Sequence, residues 1–121
     1  MGQKAFISGP MRKRVLFNFP AFDAAAKDLR EQGYEVISPA DMDRARGFDP
    51  STLPADHDWS TIPEGMDLKA IILEGLTALS ECDCVVLLPW WRVSLGSVVE
   101  VALARFLGLQ IMIYESPEDS Q

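Results

Sequence analysis

The segment Ser94-Leu95-Gly96-Ser97-Val98-Val99-Glu100 sets one carboxylate four residues after a glycine, in a run that is otherwise apolar at helical spacing. It follows a short apolar run, Val85 to Leu88, which Pro89 stops. That run has the length of a buried strand and falls far short of a membrane span. A strand, a small-residue turn and a helix start bring free backbone N–H groups and the positive end of the helix dipole to one spot, which suits an anion. Glu100 lies on the strip Gly96, Glu100, Leu103, Ala104, Leu107. Two roles fit an acid there. It favours the helix dipole by up to about 1 kcal/mol, or it is a partly buried carboxylate nucleophile beside an anion-binding turn.

Other residues could share that chemistry. Met11-Arg12-Lys13-Arg14 is the densest positive patch, just after the apolar run Lys4 to Ser8 and the turn Gly9-Pro10. It is either a solvated turn or a phosphate-attracting loop at the carboxyl end of a first strand. His57, the only histidine, sits in Asp56-His57-Asp58-Trp59. A solvated loop histidine is the commoner case there, with a metal ligand or catalytic base as the alternative. Trp59 either packs its loop onto the domain or caps a flat ligand. The adjacent Trp90 and Trp91 read as packing or interface residues more readily than as a base-stacking platform. Cys82 and Cys84 would point to opposite faces of a strand, so no disulfide joins them, and two thiols make no zinc site. The expectation is a reduced, cytoplasmic protein with no metal and no cofactor.

The elements that must position these groups follow from the spacing. Lys4 to Ser8 predicts a first strand. Asn18-Phe19-Pro20 opens a helix, with Asn as cap and Pro in the first turn, and Phe22, Ala25, Ala26 and Leu29 on its buried face. Gly33 ends it, and Tyr34 to Ser38 is a second strand. Residues 39–67 hold four of the eight prolines and seven acids against two arginines. They predict a helical turn near 40–46 and a long irregular loop, about 44–66. A helix over 67–80 carries Gly75, which costs about 0.5 to 1 kcal/mol relative to Ala in a helix interior. Then come a strand over 83–88, a helix over 96–107 closed by Gly108, a strand over 109–114 and a frayed tail, 115–121.

Alternating elements of these lengths predict one α/β domain over 1–121. It is a small doubly wound, flavodoxin- or Rossmann-like parallel sheet in the order 2-1-3-4, with helices on both faces. Strands 1 and 3 then meet at the switch point, and the Gly9–Arg14 and Pro89–Ser97 loops face one crevice. At 121 residues, 48% hydrophobic and net charge -7, the chain suits a small-molecule ligand rather than a nucleic-acid polymer. No secretory or membrane-spanning stretch is seen.

With these residues in place, the chain resembles the nucleoside 2-deoxyribosyltransferase-like proteins, in particular a short branch met in phages and prophages. The matching pieces are Phe6-Ile7-Ser8-Gly9-Pro10-Met11, Asn18-Phe19-Pro20-Ala21-Phe22, Gly33-Tyr34-Glu35-Val36, Cys82-Asp83, Leu88-Pro89-Trp90-Trp91 and Ser94-x-Gly96-x-x-x-Glu100. The resemblance implies that Glu100 attacks the sugar C1′ and displaces the base. It further implies that Ser94, the Gly96 and Ser97 N–H groups and Arg12 or Arg14 hold a 5′-phosphate. Ser8, Gly9, Pro10, Met11, Asn18 and Trp91 would complete the pocket. The implied activity is hydrolysis of, or deoxyribosyl transfer from, a deoxynucleoside monophosphate, with a nucleotide or nucleoside as the only small partner and a homodimer as the assembly. The resemblance departs at two positions. Phe6 stands where a tyrosine usually positions the nucleophile, and Gly75 where an aspartate usually protonates the leaving base. A non-catalytic nucleotide-binding module is therefore the alternative.

Overall fold

In the computed structural model, which describes residues 3–61 and 65–115, four parallel strands form one sheet. They are β1 (Lys4–Ser8), β2 (Glu35–Ile37), β3 (Cys84–Leu87) and β4 (Gln110–Ile113), in the order β2-β1-β3-β4. The predicted order and the α/β class hold. Every pairing is parallel, with Phe6 opposite Ile37 and Val85, and Val86 opposite Met112. The helices are α1 (Phe19–Glu31), α2 (Pro39–Ala45), α3 (Leu68–Ser80) and α4 (Leu95–Leu107).

Both faces of the sheet are covered, because the crossovers from β1 and from β3 leave on opposite sides. Odd-numbered residues of β1 face one core, where Ala5 and Ile7 meet Phe22, Ala26 and Leu29 of α1. The even-numbered face carries Phe6, which packs with Leu79 of α3, Val101 and Ala104 of α4, and Val85 and Leu87 of β3. Fully buried side chains such as Phe6, Phe22 and Leu79 each contribute roughly 1.5 to 3 kcal/mol by leaving water.

The helix ends are set locally. Ser38, Asp67 and Ser94 cap α2, α3 and α4 by accepting from Ala40, Ala70 and Ser97 N–H respectively. Asn18 does not act as the cap expected of it. It is left-handed (φ 64°), and its side chain donates instead to Pro10 O at 2.8 Å, strapping the β1–α1 loop.

Two cysteines, Cys82 and Cys84, are buried and free, and burial pushes both thiols up, Cys82 to about 11. Among the described residues no helix is long and apolar enough to cross a membrane. The tail from Ser116 lies outside them.

Candidate functional site

The site is built where β1 and β3 end side by side. Leu88 N donates to Ser8 O at 2.8 Å, extending the pairing by one residue. Gly9 allows that approach, since a Cβ there would sit 2.7 Å from Leu88 Cβ. The β1–α1 loop then departs toward one face and the β3–α4 loop toward the other, which opens the crevice of a doubly wound sheet.

All the non-glycine residues with left-handed backbone among those described belong to these two loops: Lys13, Leu16, Phe17 and Asn18 on one, Trp90 on the other. Left-handed backbone costs an L-residue roughly 1–2 kcal/mol. Such strain persists where surroundings enforce it, and it gathers at functional sites.

Glu100, in the second turn of α4, reaches back to the sheet. Ser8 Oγ donates to its Oε1 at 2.6 Å, across 92 positions of sequence. Ser8 itself is wholly buried at the end of β1, on the same face as Phe6. The second carboxylate oxygen, Oε2, faces α3 at Gly75, where an added Cβ would lie 4.0 Å from it and meet nothing nearer. Among the described residues Glu100 has no ion-pair partner. Burial lifts its carboxyl from 4.5 to about 7, and the Ser8 hydroxyl holds back part of that rise by donating to the charged form. At neutral pH the group is therefore split between acid and carboxylate, as a nucleophile or general base near its working pH would be.

Above Glu100 on the same helix, the first turn of α4 offers donors. Ser94 Oγ accepts from Ser97 N at 3.2 Å, and Ser94 O accepts from Val98 N. Ser97 N–H is thus spent on the cap, which corrects its expected role toward a ligand. Leu95 and Gly96 N–H remain without an intrahelical partner. The Ser94 hydroxyl proton remains as well. Ser97 is buried, and its Oγ has no hydrogen-bond partner.

On the opposite loop Arg12 is exposed and Arg14 half-buried. The ion pairs of the described residues use Arg30, Arg44 and Arg46, and leave the loop cations to solvent. Met11 packs against the α1-side core and Pro10 is buried, so both shape the loop rather than line open space. Trp91 packs on the α4-side core while the Arg92 guanidinium lies over its ring, 5.1 Å from the centroid. Trp90 is 68% exposed.

The long loop does fold back onto the site's rim. Lys13 N donates to Trp59 O at 2.7 Å, between the two arginines of the basic loop. Phe17 packs edge-on against Phe48, His57 and Trp59, with centroids 5.8, 6.0 and 5.1 Å away. His57, expected in solvent, is wedged between Phe17 and Trp59 with a buried, unpartnered Nε2. Trp59 thus packs the loop onto the domain, as the first of its two readings had it. The spacing gave no signal for this cluster, because it joins segments about 40 residues apart through side-chain packing and a single backbone hydrogen bond.

Three further acids, Glu74, Asp43 and Asp58, are committed elsewhere. Glu74 lies 3.3 Å from Arg46, which also pairs with Asp43 of α2. Desolvation raises the Asp43 carboxyl, against the pull of Arg46. Asp58 accepts from Ser60, which holds its carboxyl low.

No curated protein matches the chain. A family model described as a domain of unknown function, DUF4406, matches residues 3–113, from the start of β1 to the end of β4. With every described element inside that match, the chain belongs to the DUF4406 family.

Proposed function

We propose that this protein breaks the N-glycosidic bond of a deoxynucleoside 5′-monophosphate, as a hydrolase or a deoxyribosyltransferase, with Glu100 as nucleophile. The observation that carries it is a part-buried carboxylate with no cation beside it, one oxygen held by Ser8 and the other facing Gly75 of α3, 4.0 Å from where a Cβ there would lie. Burying an acid this way costs stability, and such costs are paid at functional sites. The first-turn donors of α4, with Ser94 and the Arg12/Arg14 loop, would hold the phosphate at the crevice. Glu100 would then attack C1′, the base would leave, and water or a second base would release the sugar.

The test is base release from a panel of deoxynucleoside monophosphates, followed by chromatography. Release that vanishes in Glu100→Ala supports the proposal; no release from any of them, or release indifferent to that change, defeats it.

A second reading, a binding module without chemistry, draws on Phe6 and Gly75. Phe6 is buried and brings no hydroxyl to Glu100, and Gly75 brings no acid. Tight nucleotide binding by calorimetry without turnover would favour it.

A homodimer fits either reading. The outer stripe of α4, Leu95, Val99, Ala102 and Phe106, is apolar and exposed, Phe106 to 87%. Next to it α3 exposes Ile72 and Leu73. Light scattering should report a dimer that Phe106→Glu dissociates; a monomeric parent would remove this element of the proposal. The two free buried thiols suit a cytoplasmic setting.

A further inference from the structure

A neutral base leaves a sugar poorly unless a proton reaches its ring, and a positioned acid supplies roughly a 100- to 10,000-fold advantage. Three acids of α3 and the long loop are held elsewhere. Glu74 is turned to Arg46 on the α2 side, Asp67 caps α3 through Ala70 N, and Asp58 is held ionised by Ser60. His57 is enclosed by Phe17 and Trp59. The α3 position that fronts Glu100 is Gly75, which carries no side chain; a Cβ there would meet only Glu100 Oε2, at 4.0 Å. Glu100 cannot serve as both nucleophile and acid in one step.

We propose that the site takes nucleotides whose base is already cationic, with a quaternised ring such as a pyridinium or an N7-alkylated purine joined to C1′. This rests on the glycosidic-bond reading and narrows its substrate class. Glu100 Oε2 gives an electron pair to C1′ and forms a C1′–O ester bond. The C1′–N bond breaks, its pair stays on the ring, and the ring becomes neutral without taking up a proton. Water then adds to C1′, the C1′–Oε2 bond breaks to restore the carboxylate, and the water's proton passes to solvent. The surroundings suit a flat cation. The chain is acidic, at net charge -7. The β3–α4 loop already stacks one cation, Arg92, on Trp91, and exposes the neighbouring Trp90 ring.

The experiment compares kcat/KM for base release from the 2′-deoxy forms of nicotinamide mononucleotide and 7-methylguanosine 5′-monophosphate with that from dAMP and dGMP. The cationic pair should lead by at least about 100-fold. Glu100→Gln should abolish both activities, and Gly75→Asp, which places an acid beside Glu100, should narrow the gap about tenfold or more by raising release of neutral bases alone. Equal release of neutral and cationic bases would overturn the cationic class and leave the glycosidic reading standing. No release from any nucleotide, or release indifferent to Glu100→Gln, would overturn both.

Discussion

Replacing Glu100 by glutamine should abolish activity and yet make the protein more stable at alkaline pH. The folded carboxyl titrates at about 7 against 4.5 when free. Its pKa is raised on folding, so the fold is strongest below 4.5 and loses stability as pH climbs through about 7. The cost of ionising it inside the protein is under about 1 kcal/mol at pH 5 and about 3 kcal/mol at pH 8. Glutamine keeps an oxygen that can accept from Ser8 Oγ and carries no charge to bury. The variant should therefore gain about 2.5 kcal/mol over the parent between pH 5 and pH 8. For 121 residues that is about 10 °C in Tm. The assay is thermal and urea unfolding of both proteins by circular dichroism at the two pH values. Asp43 and every other titrating group is common to both, so the difference isolates Glu100. If both lose stability in parallel from pH 5 to pH 8, the carboxylate is well solvated and the case for a poised nucleophile fails.

Three further outcomes follow from the same geometry. Ser8→Ala removes the donor from Oε1; a hydrogen bond to a charged acceptor is worth about 1.5–3 kcal/mol, so the Glu100 midpoint should climb above 7 by roughly one pH unit or more. A carboxyl-carbon NMR titration reads this directly, and an unmoved midpoint would show that Ser8 does not tune the acid. Arg12→Ala combined with Arg14→Ala should raise KM for a 5′-monophosphate about tenfold or more while leaving the free nucleoside unaffected; equal effects on both would place the phosphate elsewhere. Phe17→Ala should cost about 3–5 kcal/mol and expose the Lys13 amide to hydrogen exchange as the Trp59 loop detaches; a protected Lys13 amide would mean that the aromatic cluster does not anchor the loop.

Much of the frame was legible in the chain because it rests on local or pairwise regularities. Apolar runs of strand length alternating with amphipathic helices, and the handedness of parallel crossovers, were enough to place β1 beside β3 and the two loops on one crevice. Predicted element ends fell within one or two residues, because the caps Asp67 and Ser94 and the stop Gly108 act over single turns. What could not be read depends on contacts between distant segments. Asn18 has the composition of a cap, yet the loop strapped to Pro10 and packed through Phe17 forces it left-handed, and tertiary packing overrides the local preference. His57 in an acidic loop reads as solvated until Phe17 and Trp59 close on it.

Ser8 is the instructive case. By the resemblance alone Ser8 is a ligand contact, and Phe6 is the loss of a hydroxyl from around Glu100. The pleat of β1 sends positions 6 and 8 to the same face, so a hydroxyl absent from one can be supplied by the other. Only the docking of α4 against that face, 92 positions away, shows that Ser8 is the one Glu100 meets. No such exchange rescues Gly75. Its neighbour Glu74, about 100° around the helix, points to Arg46 instead. Glu100 therefore has a hydroxyl on Oε1 and Gly75 beside Oε2, which separates the two positions, 6 and 75, that depart from the deoxyribosyltransferase-like pattern the chain resembles. The first is compensated within β1. The second is not, and on the proposed glycosidic reading that would move the demand for a good leaving group from the protein to the substrate.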